Sequence, residues 1–215
     1  IKDSGVDLAL HLDHGADFEI CKACIDGGFT SVMIDSSALP FEENAAVAAE
    51  VVKEAKKRGA DVEAELGSMP HNFNGELGEY SPEDFYTRPE EAAKYLELTG
   101  VDALAISFGT VHGVYKAKPT LALDVIERVS CATGALPLVM HGGSGLSDDD
   151  FRNAISKGIR KINYYTYGAL AGGNAVCEIV KEKGVSLQIH DVAVAATKAI
   201  REDLVNVMKL FSMEG

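Results

Sequence analysis

Three histidines lie where short apolar segments of the chain give way to polar or glycine-rich turns. His14 lies in LALHLDHG (8–15), His112 in ALAISFGTVHG (103–113) and His141 in LPLVMHGGSG (136–145). A single histidine near a strand end is usually a hydrogen-bonded surface or core residue, but this position recurs three times. Strand ends of a parallel barrel meet at one rim, where barrel enzymes hold their catalytic groups. Three imidazoles without a fourth protein ligand are typical of a catalytic zinc, so we predict a zinc site here.

Three carboxylates accompany these histidines at predicted strand ends. Asp13 precedes His14, and its side chain leaves the opposite face of the strand unless a bend brings both into the site. Such a carboxylate suits proton transfer, or it orients a ligand histidine. Asp35 ends SVMID and Glu65 lies near the end of DVEAEL. We expect these two either to bind a second cation, to hydrogen-bond the histidines, or to form structural pairs.

The glycine-rich turn HGGSG (141–145) follows an apolar segment and precedes a helix start at Ser147. Its glycines let backbone N–H groups face an anion, and Ser144 adds a hydroxyl. The segment from Asn163 to Thr166 ends the next predicted strand, a place where many barrels bind phosphate. Metal and phosphate sites together predict a small substrate with a carbonyl beside a phosphorylated carbon. Aldol cleavage, enolisation and isomerisation all fit that substrate.

Strand-like segments alternate with helical ones, which predicts an α/β protein with a parallel sheet. A closed TIM barrel has eight strands and only six are visible, so we expect the N-terminal part, about two βα units, to be absent from this sequence. An open doubly wound sheet is the alternative. Predicted strands cover 8–12, 31–35, 61–66, 103–108, 136–140 and 161–166, and predicted helices cover 17–27, 42–58, 89–98, 120–133 and 148–157.

The chain is predicted to be one partial barrel domain over residues 1–215. The segment 67–86 is rich in Gly, Pro and Asn and is predicted to be a functional loop. Residues 185–213 are predicted to form two helical pieces that dock on the barrel or on a partner subunit.

Composition excludes several classes of function. A net charge of −13 argues against binding to nucleic acid or to anionic membranes. No apolar segment approaches the roughly 20 residues of a membrane-spanning helix, and no signal-peptide pattern opens the chain. We therefore expect a cytoplasmic protein whose partner is a small molecule.

Taken together, these motifs resemble the class II, zinc-dependent ketose-bisphosphate aldolases. The matches run in the family's order from residue 8 to about 170, and their combination is more specific than any one motif. They are ALHLDHG (9–15), GFTSVMIDSS with PFEEN (28–44), VEAELG (62–67), GTVHG (109–113), LVMHGGSG (138–145) and GIRKIN (158–163).

The resemblance implies residue roles. It makes His14, His112 and His141 the zinc ligands, Asp13 the acid/base at the C4 hydroxyl, and Asp35 and Glu65 accessory cation ligands. It also implies a monovalent cation (Na⁺ or K⁺), and a homodimer or homotetramer. The phosphate of dihydroxyacetone phosphate would be held at Gly113, Gly142, Gly143, Ser144, Asn163 and Thr166.

Two segments depart from the family pattern. The family commonly continues with N-x-x-T-D or N-x-D-T-D, whereas this chain has NYYTY with Tyr165 and Tyr167. The family's mobile loop carries a glutamate in a G-x-E-D context that moves the C1 proton, whereas this chain has GELGEY. Glu76 is the first candidate for that role and Glu79 the second.

We predict reversible, zinc-dependent cleavage of a phosphorylated ketose to dihydroxyacetone phosphate and an aldehyde. The alternatives are a metal-dependent sugar-phosphate isomerase or epimerase on the same barrel, and a metal-binding paralogue without catalysis.

Overall fold

A computed structural model describes residues 5–67, 82–111 and 119–213 of the chain. Its six strands form one parallel sheet whose spatial order repeats their order along the chain. The strands are β1 (His11–Gly15), β2 (Ser31–Ile34), β3 (Asp61–Leu66), β4 (Ala103–Ile106), β5 (Leu138–Met140) and β6 (Ile159–Ile162). A doubly wound sheet reverses its order at a switch point, and this sheet does not. The predicted α/β class with a parallel sheet is confirmed.

Helices follow each strand. They are α1 (Phe18–Asp26), α2 (Phe41–Ala55), α3 (Pro89–Thr99), α4 (Leu123–Ala132), α5 (Asp148–Lys157), α6 (Thr166–Lys183) and α7 (Ile189–Phe211). Short 3₁₀ turns cover Pro82–Phe85 and Gly184–Ser186. None of the helices in the described part of the chain is long and apolar enough to cross a membrane.

Strands β2, β4 and β5 are buried because they are almost continuous apolar runs, as expected where helices cover a parallel sheet. Val32, Ile34, Leu104, Ile106 and Leu138 are fully or almost fully buried. Strand β3 departs from this pattern, since its buried residues include two glutamates, at positions 63 and 65. A buried carboxylate is costly without polar or ionic partners, and Glu63 has two, His141 and Lys161.

The turn after β5 is held in place by the start of α5. Ser147 caps this helix: its hydroxyl accepts from the Asp150 N–H, and the Asp150 carboxylate accepts from the Ser147 N–H. This reciprocal capping box fixes where the glycine-rich turn ends and the helix begins.

Four sequence predictions need correction. Strand β1 covers 11–15 rather than 8–12, and β6 covers 159–162 rather than 161–166. Thr166 therefore begins a helix, α6, which the sequence analysis did not predict. The C-terminal segment forms one continuous helix, α7, rather than two pieces. It packs on α5 and α6, with the Phe211 ring 5.0 Å from that of Phe151.

Candidate functional site

A bend at the end of β1 brings two consecutive side chains into one site. The pairing of β1 with β2 shifts register between Leu12 and Gly15, and His14 has a left-handed φ of 50°. Adjacent side chains of a regular strand point to opposite faces, whereas Asp13 and His14 line the same cavity. The strand end therefore has the bend that Asp13 and His14 need in order to reach the same site.

This cavity lies at the carboxyl ends of β1, β5 and β6 and has a volume of ≈ 450 Å³. Eight of the residues predicted for the site line it: Asp13, His14, His141, Gly142, Gly143, Ser144, Asn163 and Thr166. Other predicted residues lie outside the described part of the chain, namely Glu76, Glu79, His112 and Gly113.

Two predicted zinc ligands meet edge to face in this cavity. His141 Nδ1 lies 3.0 Å from His14 Nε2, and the ring planes are 86° apart. Two nitrogens bound to one tetrahedral zinc would lie roughly 3.3 Å apart, so this pair fits zinc ligation. The remaining nitrogen of each ring contacts a carboxylate: His14 Nδ1 is 2.7 Å from Asp35 and His141 Nε2 is 2.8 Å from Glu63.

Asp35 and Glu65 form a second cluster with His14, whose ligand atoms lie within 4.8 Å of one another. The hydrogen bond with Asp35 raises the pKa of His14. The same bond, with further bonds from Ser37, holds the pKa of Asp35 well below its usual range. Burial and the nearby Asp35 charge raise the pKa of Glu65 to about 8, and its Oε2 has no hydrogen-bond partner among the described residues. A buried, unpaired carboxylate oxygen beside two further donors suits a cation.

The free energy of unfolding of the metal-free protein is expected to fall as the pH rises from 4.5 towards 8. Over this range folded Glu65 keeps a proton that the unfolded chain, at its ordinary value of 4.5, has already released. Stability then decreases with pH, by at most about 1.4 kcal/mol per unit for one group. Denaturant unfolding at several pH values measures this slope, and Glu65→Gln should flatten it. An unchanged slope in that variant would assign the effect to other groups.

Asp13 stands at the open side of the cavity with one fixed partner. Asn163 Nδ2 donates to Asp13 Oδ1 at 2.8 Å, and that oxygen is 3.9 Å from His14 Nε2. Asn163 Nδ2 is also 3.2 Å from His141 Nε2. That nitrogen already faces the Glu63 carboxylate, so we assign the amide hydrogen to Asp13. Asp13 is thereby oriented beside the two histidines while its side chain stays about half exposed.

The glycine-rich turn packs tightly against the segment before His112. Gly142 has a φ of 66°, and a Cβ there would lie 2.4 Å from the Val111 carbonyl oxygen. Ser144 is buried beside it. Across the cavity α6 begins at Thr166, and the first N–H groups of a helix have no partner within the helix. These donors surround a space suited to a phosphate.

The two tyrosines that replace the family's carboxylate region differ in position. Tyr165 lines the cavity and is 80% exposed, whereas Tyr167 is not among the residues that line it. Tyr164 also lines the cavity, and its hydroxyl donates to Asp203 of α7 at 3.0 Å. Of the three tyrosines in this segment, Tyr164 and Tyr165 therefore line the cavity and Tyr167 does not.

The sequence analysis missed three polar residues at this site: Glu63 on β3 lies beneath the cavity, and Lys161 on β6 and His11 on β1 line it. Burial raises the pKa of Glu63, but the His141 hydrogen bond and the Lys161 charge outweigh it and hold that pKa below its usual value. The available signal was the E-x-E pattern of a strand that is otherwise apolar. Alternate residues share a face, so Glu63 and Glu65 had to point to the same side.

Comparisons with known proteins agree with the motifs. The sequence profile described as fructose-bisphosphate aldolase class-II matches residues 1–215. A fructose-bisphosphate aldolase of Geobacillus stearothermophilus is 40% identical over 210 residues, 98% of this chain and 72% of that protein. One from Staphylococcus aureus is 41% identical over 206 residues, 96% of this chain and 71% of that protein.

A solved structure agrees as well. The YdjI aldolase from Escherichia coli superposes with a TM-score of 0.83 at 37% identity, covering 100% of this chain and 73% of that one. The family match and these identities confirm the resemblance stated from the motifs. The chain belongs to the class II fructose-bisphosphate aldolase family.

Proposed function

We propose that this protein catalyses the reversible aldol cleavage of a phosphorylated ketose to dihydroxyacetone phosphate and an aldehyde. The observation that carries the proposal is one cavity in which His14, His141 and Asp13 lie beside a glycine-rich turn. Membership of the aldolase family supports it. The six strands would be part of an eight-stranded TIM barrel, and their uninterrupted spatial order supports this.

The zinc ligands would be His14, His112 and His141. The donor set fits, because the facing nitrogens of His14 and His141 each have a carboxylate on the opposite side of the ring. Bound zinc supplies a Lewis acid that draws electron density from the ketose carbonyl. Asp35 and Glu65 would hold an accessory cation, and a monovalent cation would lie near the glycine-rich turn. The predicted dimer or tetramer stays a prediction.

The protein's own residues would handle the protons and the phosphate. Asp13 would take the proton of the C4 hydroxyl as the C3–C4 bond breaks, so the electron pair of that bond passes to the dihydroxyacetone phosphate half. A loop glutamate, Glu76 or Glu79, would return a proton to the carbon that receives this electron pair, which is C3 of the ketose and becomes C1 of dihydroxyacetone phosphate. The phosphate would be bound by N–H groups of Gly113, Gly142 and Gly143 and by Ser144, Asn163 and Thr166.

The test is a coupled assay for dihydroxyacetone phosphate across ketose mono- and bisphosphates, with and without a chelator. We expect cleavage that a chelator abolishes and zinc restores. Exchange of the C1 proton without cleavage would favour an isomerase or epimerase. Bound zinc without either reaction would favour a paralogue that lacks catalysis.

We expect fructose 1,6-bisphosphate not to be the best substrate, because Tyr165 and Tyr167 replace the carboxylate region of the family pattern. An unpaired buried sugar hydroxyl costs about 1–3 kcal/mol, roughly a tenfold to hundredfold loss in kcat/KM. Another phosphorylated ketose should therefore be cleaved more efficiently. Tyr165→Asp should narrow the difference, and Tyr167→Asp, which restores the family's other aspartate outside the cavity lining, should narrow it less. If the unaltered enzyme cleaves fructose 1,6-bisphosphate with the highest kcat/KM, the inference from Tyr165 and Tyr167 is wrong.

A further inference from the structure

A chain of polar contacts connects the candidate zinc site with the strands beneath it: Glu63 lies below the cavity, whereas Lys161 and His11 also line it. Glu63 is 2% exposed, and its two oxygens have different partners. Oε1 lies 2.8 Å from His141 Nε2, and Oε2 accepts from Lys161 Nζ at 2.7 Å. Lys161 Nζ is also 3.3 Å from His11 Nε2, and His11 Nδ1 is 2.8 Å from the Ser31 hydroxyl. Four strands thus contribute to one network under His141.

We propose that Glu63 and Lys161 act as a positioning pair that holds the proton of His141 on Nε2, so that Nδ1 is the nitrogen that binds metal. This rests on the proposed zinc-dependent function. His141 is 0% exposed, so no bulk water can accept a hydrogen bond from its ring. An ionised carboxylate only accepts, so the contact with Glu63 requires the proton of His141 on Nε2. Nδ1 then carries a lone pair and faces His14 Nε2.

Lys161 is the reason that Glu63 acts through His141 and does not bind metal itself. A carboxylate buried without a partner is costly, and Lys161 supplies the opposite charge on the second oxygen. With both oxygens engaged, Glu63 has none left for a cation. Glu65, two residues along the same strand, differs because its Oε2 has no hydrogen-bond partner among the described residues. Two glutamates on one face of β3 are therefore assigned different roles by their partners.

The first test needs no metal. In the metal-free, full-length protein, nitrogen NMR of His141 is expected to show the proton on Nε2. In Glu63→Gln the carboxylate acceptor is lost, so we expect a mixture of the two tautomers. A proton on Nδ1 in the unaltered protein would overturn the proposal, whatever the outcome of the aldolase assay.

The second test measures zinc affinity by competition with a chromophoric chelator. Glu63→Gln is expected to weaken zinc binding by about 10–100-fold, the usual effect of removing a carboxylate behind a ligand histidine. Asp102→Asn is the matched control: its carboxylate accepts from the Val62 N–H of β3 but lies away from the histidines, so zinc affinity should not change. Unchanged zinc affinity in a folded Glu63→Gln protein would make Glu63 purely structural.

A double variant separates positioning from stability. Glu63→Gln removes the carboxylate that pairs with Lys161, so we expect a lower melting temperature. The double variant Glu63→Gln with Lys161→Gln removes both charges and should recover part of the lost melting temperature. Zinc affinity should stay low in the double variant. If zinc affinity recovers together with stability, the positioning role is wrong. If the unaltered protein binds no zinc, the proposed function fails, while the tautomer test still decides the role of Glu63.

Discussion

His14→Ala is expected to abolish zinc binding and to lower aldol cleavage by at least about 10³-fold. The imidazole is one of the three proposed zinc ligands, and it also belongs to the cluster with Asp35 and Glu65. A Lewis acid at a reacting carbonyl contributes several kcal/mol to transition-state stabilisation, and each 1.4 kcal/mol corresponds to about tenfold in rate. Zinc content per chain and kcat/KM in the coupled assay measure the two losses.

The matched control is His190→Ala on α7. This imidazole is 69% exposed and does not line the cavity, so its loss should change neither zinc content nor turnover. The fold of His14→Ala should persist, because the strands and helices around the site are held by the apolar core. A His14→Ala protein that keeps one zinc per chain and normal activity would contradict the proposed metal site.

Asp13→Ala is expected to keep its zinc and to lose turnover by about 10²–10⁴-fold, the usual contribution of one general acid or base. Asp13 lies 3.9 Å from His14 Nε2 and is held by Asn163, so its removal leaves the histidine pair in place. Exchange of the C1 proton of dihydroxyacetone phosphate should suffer less, because another residue moves that proton.

The control for this variant is Asp61→Ala. It removes an exposed carboxylate at the amino end of β3, away from the carboxyl ends of the strands, where the cavity lies. It should leave both cleavage and exchange unchanged. An equal loss of cleavage and exchange in Asp13→Ala would instead make Asp13 a residue that orients the metal ligands.

The order of strands and helices was predicted from sequence as far as α5. In that part of the chain apolar residues recur with the spacing of strands or of amphipathic helices. The prediction failed at α6, where glycines at 168, 172 and 173 argue against a helix. Contact between helices outweighs that preference: a Cβ on Gly172 would lie 2.8 Å from the Ile200 side chain of α7. Sequence periodicity within one segment contains no information about such a close partner.

The site was predicted in part because its residues lie at strand ends, where position along the chain implies position in space. That logic brought Asp13, His14 and His141 to one cavity. The same logic did not identify Glu63 or Lys161, because both lie within strands. Their contacts with each other and with His141 join β3, β6 and the end of β5. Pairwise contacts of this kind depend on side-chain geometry that the strand pattern does not specify.

Gly142 is a position where no other residue fits, although it has no side chain to take part in the reaction. Asparagine tolerates its positive φ, but any Cβ would meet Val111, the residue before His112, at 2.4 Å. The separation between the turn after β5 and the segment that ends at Val111 is thus set by the close approach of Gly142 to Val111. Genetic screens should therefore recover inactivating missense changes at this codon although its product donates no side chain to the reaction.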